Sequence, residues 1–337
     1  MWLLHLGDAM ALVMKEMDLQ TAMNARAVCK SWRRYIKQAD LEPLEAGCSE
    51  QEKAQGRECQ RLLQEARALE NQVWSPEHTA KLAKHLTNQN EITAEMRHKL
   101  VNWLIEVHFK FEASESCLHL TIQLLDHFLA DKVVKIEKFQ TVGVTAFKLG
   151  CKYKGNGYFN LHDLPYYDYS SLSQDISNME KDICKQLEKN MKDPNPADYL
   201  KRFSKAAKLE STECTNGQYT KSYSMTLYFI DMAFLDGTLV HTRPSLIAAA
   251  AIMCTLRVLG RRDWSAQLEY YTTYRRETVA ALAEKLIANG RACTASAISH
   301  KYTSQRLGGV GDQVGADGKT LNDGCLHILA GYFKQLL

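Results

Sequence analysis

Helical apolar patterns separated by short polar breaks run along most of the chain. Residues 44–75 begin strongly polar, with Cys48-Ser49-Glu50-Gln51-Glu52-Lys53, and then become helical. There Leu62, Ala66, Leu69 and Val73 share one face of a helix. Two heptads are too few for a coiled coil and predict a connecting helix. Ser75-Pro76 then supplies an N-cap followed by proline at the first helical position. Further on, Leu100, Trp103, Leu104, Val107 and Phe111 line one helix, and Leu118, Ile122, Leu125 and Leu129 a second. Val142, Ala146 and Leu149 line a third, and Ile176, Met179, Ile183 and Leu187 a fourth. Asp193-Pro194-Asn195-Pro196 breaks the pattern, because neither proline fits a helix interior.

Beyond the break the plan recurs. Leu125-Asp126-His127-Phe128-Leu129-Ala130-Asp131 is echoed by Ile230-Asp231-Met232-Ala233-Phe234-Leu235-Asp236, at an offset of 231 − 126 = 105 positions. Two copies of one helical bundle are the natural inference. Past Asn289-Gly290 the pattern loosens. Leu326 to Leu337 carries a short amphipathic spacing through Leu329, Phe333 and Leu336.

Composition sharpens this picture. Only 6 Pro and 18 Gly in 337 residues leave too few turns for a β-sandwich or barrel. An all-α fold is expected, in roughly two domains at about 150 residues each. The net charge of +3 is too even for general nucleic-acid or membrane affinity. The ten cysteines are scattered singly with no CxxC pair, which argues against a zinc ribbon and for a reducing compartment, nucleus or cytoplasm. Met1-Trp2-Leu3-Leu4-His5-Leu6 lacks the basic region and cleavage site of a signal peptide. Ser245 to Leu259, bounded by Pro244 and Gly260 and holding Arg257, reads as a buried helix, so a soluble protein is expected.

Intrinsic catalysis finds little support. His162-Asp163 has no evident nucleophile partner, and the glycines from Gly308 to Gly315 have the wrong spacing for a dinucleotide loop. His78 and His85 stand seven residues apart, about 10 Å along a helix, too far to share a metal. No metal, cofactor or enzymatic activity is expected.

Met96-Arg97-His98-Lys99-Leu100-Val101-Asn102-Trp103-Leu104-Ile105-Glu106-Val107 closely resembles the opening of a cyclin box. Leu118-His119-Leu120-Thr121, Leu124 to Leu129, Gly143-Val144-Thr145-Ala146, Cys151-Lys152-Tyr153, Met179-Glu180 and Tyr199 to Phe203 follow in the order of A- and B-type cyclins. The resemblance runs from about residue 76 to 307 and includes Lys301-Tyr302. It implies two tandem five-helix bundles, the first over 76–197 and the second over 198–290, with a tail over 291–337. It also implies an activating subunit of a cyclin-dependent kinase. Such kinases need a placed helix and a Lys–Glu ion pair to orient ATP, and the first box packs on that helix.

The same resemblance assigns Lys152 and Glu180 to kinase binding, and Arg97 and Asp126 to a structural ion pair. It assigns Met96, Leu100, Trp103, Glu106, Phe139 and Gln140 to a substrate-docking patch for proteins bearing a basic residue and a spaced leucine. Departures from the pattern are Lys99 in place of an apolar residue, Asn102 in place of Asp, and Lys154-Gly155 in place of an acidic pair. The RxxL pattern Arg97-His98-Lys99-Leu100 lies inside the box, so destruction by the mitotic route is not expected.

Residues 1–43 carry a second resemblance. Asp18 to Ala22, followed by Ala27-Val28-Cys29-Lys30-Ser31-Trp32-Arg33-Arg34-Tyr35, resembles an F-box, although the usual Leu-Pro start is absent. It implies contact with a Skp-type adaptor of a cullin–RING ubiquitin ligase through Leu12, Val13, Met17, Val28 and Trp32. A unit of this length cannot bury a sizeable core alone. The order of F-box and cyclin box resembles cyclin F, which opens the alternative of a ubiquitin-ligase adaptor that does not activate a kinase.

Overall fold

The computed structural model describes residue 61 and residues 64–154, 169–187, 193–209, 220–292, 298 and 301–302. Leu12, Val13, Met17, Val28, Trp32, His162, Asp163, the glycines from Gly308 to Gly315 and the segment Leu326 to Leu337 lie outside these. Among the described residues every regular element is helical. None of these helices is long and apolar enough to cross a membrane.

The elements are α1 (64–73), α2 (Pro76–Leu82), α3 (Ala94–Lys110), α4 (Glu115–Asp131), α5 (Ile136–Lys154), α6 (Tyr169–Leu187), α7 (Pro196–Ala206), α8 (Lys221–Leu235), α9 (Pro244–Val258), α10 (Ala266–Thr272) and α11 (Arg276–Ala292). The caps follow local chemistry. Ser75 accepts from His78 N–H ahead of Pro76, and Asn195 and Asp198 close a reciprocal capping box around Pro196. The two prolines of the sequence break therefore stand before or at the first position of α7. Gly260, at φ 63°, turns the chain after α9 in a conformation that costs glycine nothing.

α4 is the central helix of the first bundle, and nearly all its residues are buried. α3, α5 and α6 pack around it, with the most extensive interface between α4 and α5. α9 plays the same part in the second bundle, surrounded by α7, α8 and α11. The Leu118, Ile122, Leu125 and Leu129 stripe is buried throughout. α3 touches α8 and α4 touches α7, so one continuous apolar core joins the bundles.

The helix expected as a simple connector is docked. Of its apolar stripe Ala66 and Val73 pack inward as the spacing predicts, but Leu69 is 43% exposed, whereas Glu70 is 3% exposed. The reason is an electrostatic fit. Glu70 accepts the backbone N–H of Ser245 at 2.8 Å and its hydroxyl at 2.7 Å, capping the N-terminus of α9. Arg67 donates to the Tyr271 carbonyl, and the Tyr199 hydroxyl donates to the Ala66 carbonyl at 3.0 Å. Trp74 then packs with Leu82 and Ala130, fastening α2 to the first bundle.

Candidate functional site

α5 ends with Lys148 and Lys152 on one face and Lys154 on another, and α6 runs beside the first. Lys148 and Lys152, one turn apart, converge on Glu180 of α6, with Nζ to carboxylate distances of 2.8 and 3.2 Å. The Glu180 side chain is 20% exposed and that of Lys152 is 58% exposed. The hydrogen bond from Lys148, aided by that from Lys152, holds the Glu180 carboxyl below its ordinary range. Glu180 in turn raises the Lys152 ammonium. A lysine has three donors, and the outward position of Lys152 leaves donors turned to solvent. Lys148 was absent from the sequence-based site; its place one turn before Lys152 was the available signal.

The ion pair between α3 and α4 is of a different kind. Arg97 on α3 meets Asp126 on α4 in a two-pronged contact, Nε to Oδ1 and Nη2 to Oδ2, both at 2.6 Å. Both side chains are buried. The remaining prong, Nη1, donates to the Phe234 carbonyl at 3.0 Å. That carbonyl belongs to the last turn of α8, where backbone acceptors lack helical partners. Arg97 therefore joins three helices and both bundles.

The six residues of the expected docking patch divide. Leu100 and Phe139 are buried. Leu100 sinks against Gly143, where an added Cβ would stand 3.0 Å from its Cδ1. Met96 and Trp103 are half-buried, and Glu106 and Gln140 are exposed. The accessible part is thus two apolar side chains with an acid and an amide, while Leu100 and Phe139 serve the core. Lys99 is exposed and paired with Glu95 at 2.7 Å, one turn before it on α3. Lys154 reaches Asp198 at the start of α7 at 3.2 Å.

Residues 68–192 match the cyclin N-terminal domain and residues 194–314 the cyclin C-terminal domain. The chain carries two cyclin domains in tandem. Over 71% of its length it is 31% identical to the G2/mitotic-specific cyclin-B2 of Mesocricetus auratus, spanning 59% of that protein. It is 33% identical to cyclin-B2-3 of Arabidopsis thaliana over 67% of this chain and 49% of that one. The human cyclin-B2 is 31% identical over 66% of this chain and 55% of its own. The chain thus spans roughly half to three fifths of the curated relatives it matches. In fold it is similar to a viral cyclin from herpesvirus saimiri, with a TM-score of 0.52 at 20% identity, covering 68% of this chain and 97% of that one.

A second buried ionic group ties the cyclin domains together, and sequence reasoning placed only part of it. Lys301, from the tail, donates at 2.8 Å to both Glu115 of α4 and Asp231 of α8. The Tyr302 hydroxyl donates to the same Asp231 oxygen at 2.8 Å. Burial alone would lower the Lys301 ammonium; the facing carboxylates Asp231 and Glu115 outweigh it and hold it above its ordinary value. Burial raises the Asp231 carboxyl. Glu115, His119 and Asp231 offer ligand atoms within 4.8 Å of one another, the spacing of a metal site. The Lys301 ammonium supplies the positive charge there. The 105-residue echo that aligns Asp126 with Asp231, and the Lys301-Tyr302 match in the tail, were the signals for this group.

Proposed function

We propose that the chain is a cyclin-type regulatory subunit that binds and activates a cyclin-dependent kinase. The observation that carries this is the Lys148–Glu180–Lys152 arrangement on the first cyclin domain of a chain related to B-type cyclins. Lys152 offers donors for backbone carbonyls at the end of a kinase helix, and Glu180 offers acceptors for backbone N–H groups. The pair holds each partner in a defined geometry before the kinase arrives, which lowers the ordering cost of binding. The cyclin chain performs no chemistry in this reading; it shifts the kinase helix that positions the catalytic Lys–Glu pair. Met96, Trp103, Glu106 and Gln140 form the accessible part of a docking surface for substrate proteins with a basic residue and a leucine. The complex acts in the nucleus or the cytoplasm.

Affinity purification of the full chain, read by mass spectrometry, tests this. Wild type is expected to recover a kinase that the double variant Lys152→Ala, Glu180→Ala loses while its helical circular dichroism stays unchanged. Equal recovery by both proteins overturns the assignment.

A second reading, favoured by the Val28-Cys29-Lys30-Ser31-Trp32-Arg33-Arg34 pattern, adds recruitment of a Skp-type ubiquitin-ligase adaptor. The same purification after deletion of residues 1–40 distinguishes them. Adaptor lost with the deletion supports the F-box role, and adaptor absent from both samples removes it.

A further inference from the structure

Two of the scattered cysteines are brought together by the fold. Cys117 lies in the first turn of α4 and Cys151 in the last turn of α5, separated by 34 residues in sequence, yet their Sγ atoms stand 3.0 Å apart. Both are free thiols, and both are buried, Cys151 being the slightly more accessible. A sulfur–sulfur distance inside ordinary van der Waals contact needs close helix backbones, and Gly150 provides them. A Cβ at Gly150 would fall 2.7 Å from the Cys117 carbonyl oxygen and 2.4 Å from Thr121 Oγ1, so only glycine permits this approach. Leu118, next to Cys117, and Leu149, two residues before Cys151, are fully buried.

We infer that Cys117 and Cys151 are a thiol pair that closes to a disulfide when the chain meets a peroxide. Closing the bond asks each sulfur to move by roughly half an ångström, to the usual S–S length of about 2.05 Å. The direction of attack follows from access. Either sulfur can donate in the contact between them, and Cys151 is the more accessible of the two. Cys151 is the attacking thiolate. Its sulfur bonds one oxygen of hydrogen peroxide, the O–O bond breaks, and the hydroxide released takes up the proton that the Cys151 thiol gave up and leaves as water, so that Cys151 becomes a sulfenic acid. The Cys117 sulfur then attacks the Cys151 sulfur, the S–O bond breaks, the Cys117 proton leaves with the hydroxyl as a second water, and the S–S bond forms. Two thiols are oxidised and one peroxide is reduced to two waters.

The consequence is local. The bond ties the N-terminal turn of α4 to the C-terminal turn of α5, immediately before Lys152. The chemistry stands on the chain alone and is independent of any kinase partner.

Treatment of the full chain with hydrogen peroxide, followed by alkylation under denaturing conditions and non-reducing peptide mass spectrometry, tests the inference. The expected result is a peptide pair joined through Cys117 and Cys151, split by dithiothreitol, with both residues lost together from the alkylated pool. Cys151→Ser, placed at the more accessible sulfur, is expected to lose the cross-link and leave Cys117 open to alkylation. Oxidation in urea is expected to lose the preference for this pair. The inference is overturned if both residues stay alkylatable in peroxide-treated wild type, if Cys151 gains oxygen without cross-linking, or if Cys117 joins a different cysteine.

Discussion

Replacing Arg97 with methionine removes the cation that Asp126 meets in the interior. The substitution keeps a long unbranched stem, so the change is chiefly electrostatic. Asp126 is left buried with two hydrogen bonds of 2.6 Å gone, and breaking a buried pair from one side typically costs about 3–5 kcal/mol. The Phe234 carbonyl also loses its 3.0 Å donor at the end of α8, adding about 1 kcal/mol or more. The sum, about 4–6 kcal/mol, rivals the whole stability of an ordinary domain. Urea denaturation followed by helical circular dichroism measures it. Arg97→Met and Asp126→Leu are each expected to be severe, whereas the double variant recovers much of the loss because no unpaired charge remains. A loss below about 1 kcal/mol for Arg97→Met, or costs that simply add in the double variant, would refute the reasoning.

Lys301→Met leaves the buried carboxylates Glu115 and Asp231 without their shared cation. It is expected to cost about 3–5 kcal/mol in urea denaturation and to speed proteolysis of the tail, with wild-type behaviour counting against the latch. Acid is expected to destabilise the chain through His119 and His127, whose imidazoles burial pushes down to about 3. Their folded values lie below the unfolded one, so the unfolded state binds more protons and stability falls as pH drops below about 6.5, toward 3. At pH 5 each contributes a loss of about 2 kcal/mol. Glu70 and Asp231, raised by burial, act in the opposite direction at the acid end and offset part of it. Denaturation at pH 7 and pH 5 is expected to show the net fall; a constant or rising stability would contradict it.

How much of this was legible in the sequence depended on distance along the chain. The helices announced themselves through local signals, such as Pro76 after Ser75, the Asn195 cap before Pro196 and the full stripe from Leu118 to Leu129. Side chains whose partners lie far away were harder to read. Glu70 looks like a surface acid beside an inward Leu69, yet its partner is the helix terminus at Ser245, and the charge rather than the leucine faces the interior. The internal echo was informative but incomplete. Its 105-residue offset carries Arg97 onto Arg202 and Asp126 onto Asp231, and so suggests a second arginine–aspartate pair. Instead the Arg202 guanidinium lies over the Tyr271 ring at 3.9 Å, and Asp231 takes its cation from Lys301. The Cys117–Cys151 contact needed the backbone approach at Gly150, which no periodicity records. Leu100 shows the converse: a resemblance placed it on a surface, and the missing Cβ of Gly143 drew it inside.

We propose that Lys152 and Glu180 of the first cyclin domain hold a kinase in its active arrangement. The most direct test is the phosphotransfer activity recovered with the purified full chain, measured on a serine/threonine peptide beside the Lys152→Ala, Glu180→Ala variant. Activity that accompanies wild type and vanishes with the double variant, at equal helical content, is the predicted result. Equal activity with both proteins, or a recovered kinase that transfers no phosphate, would contradict it.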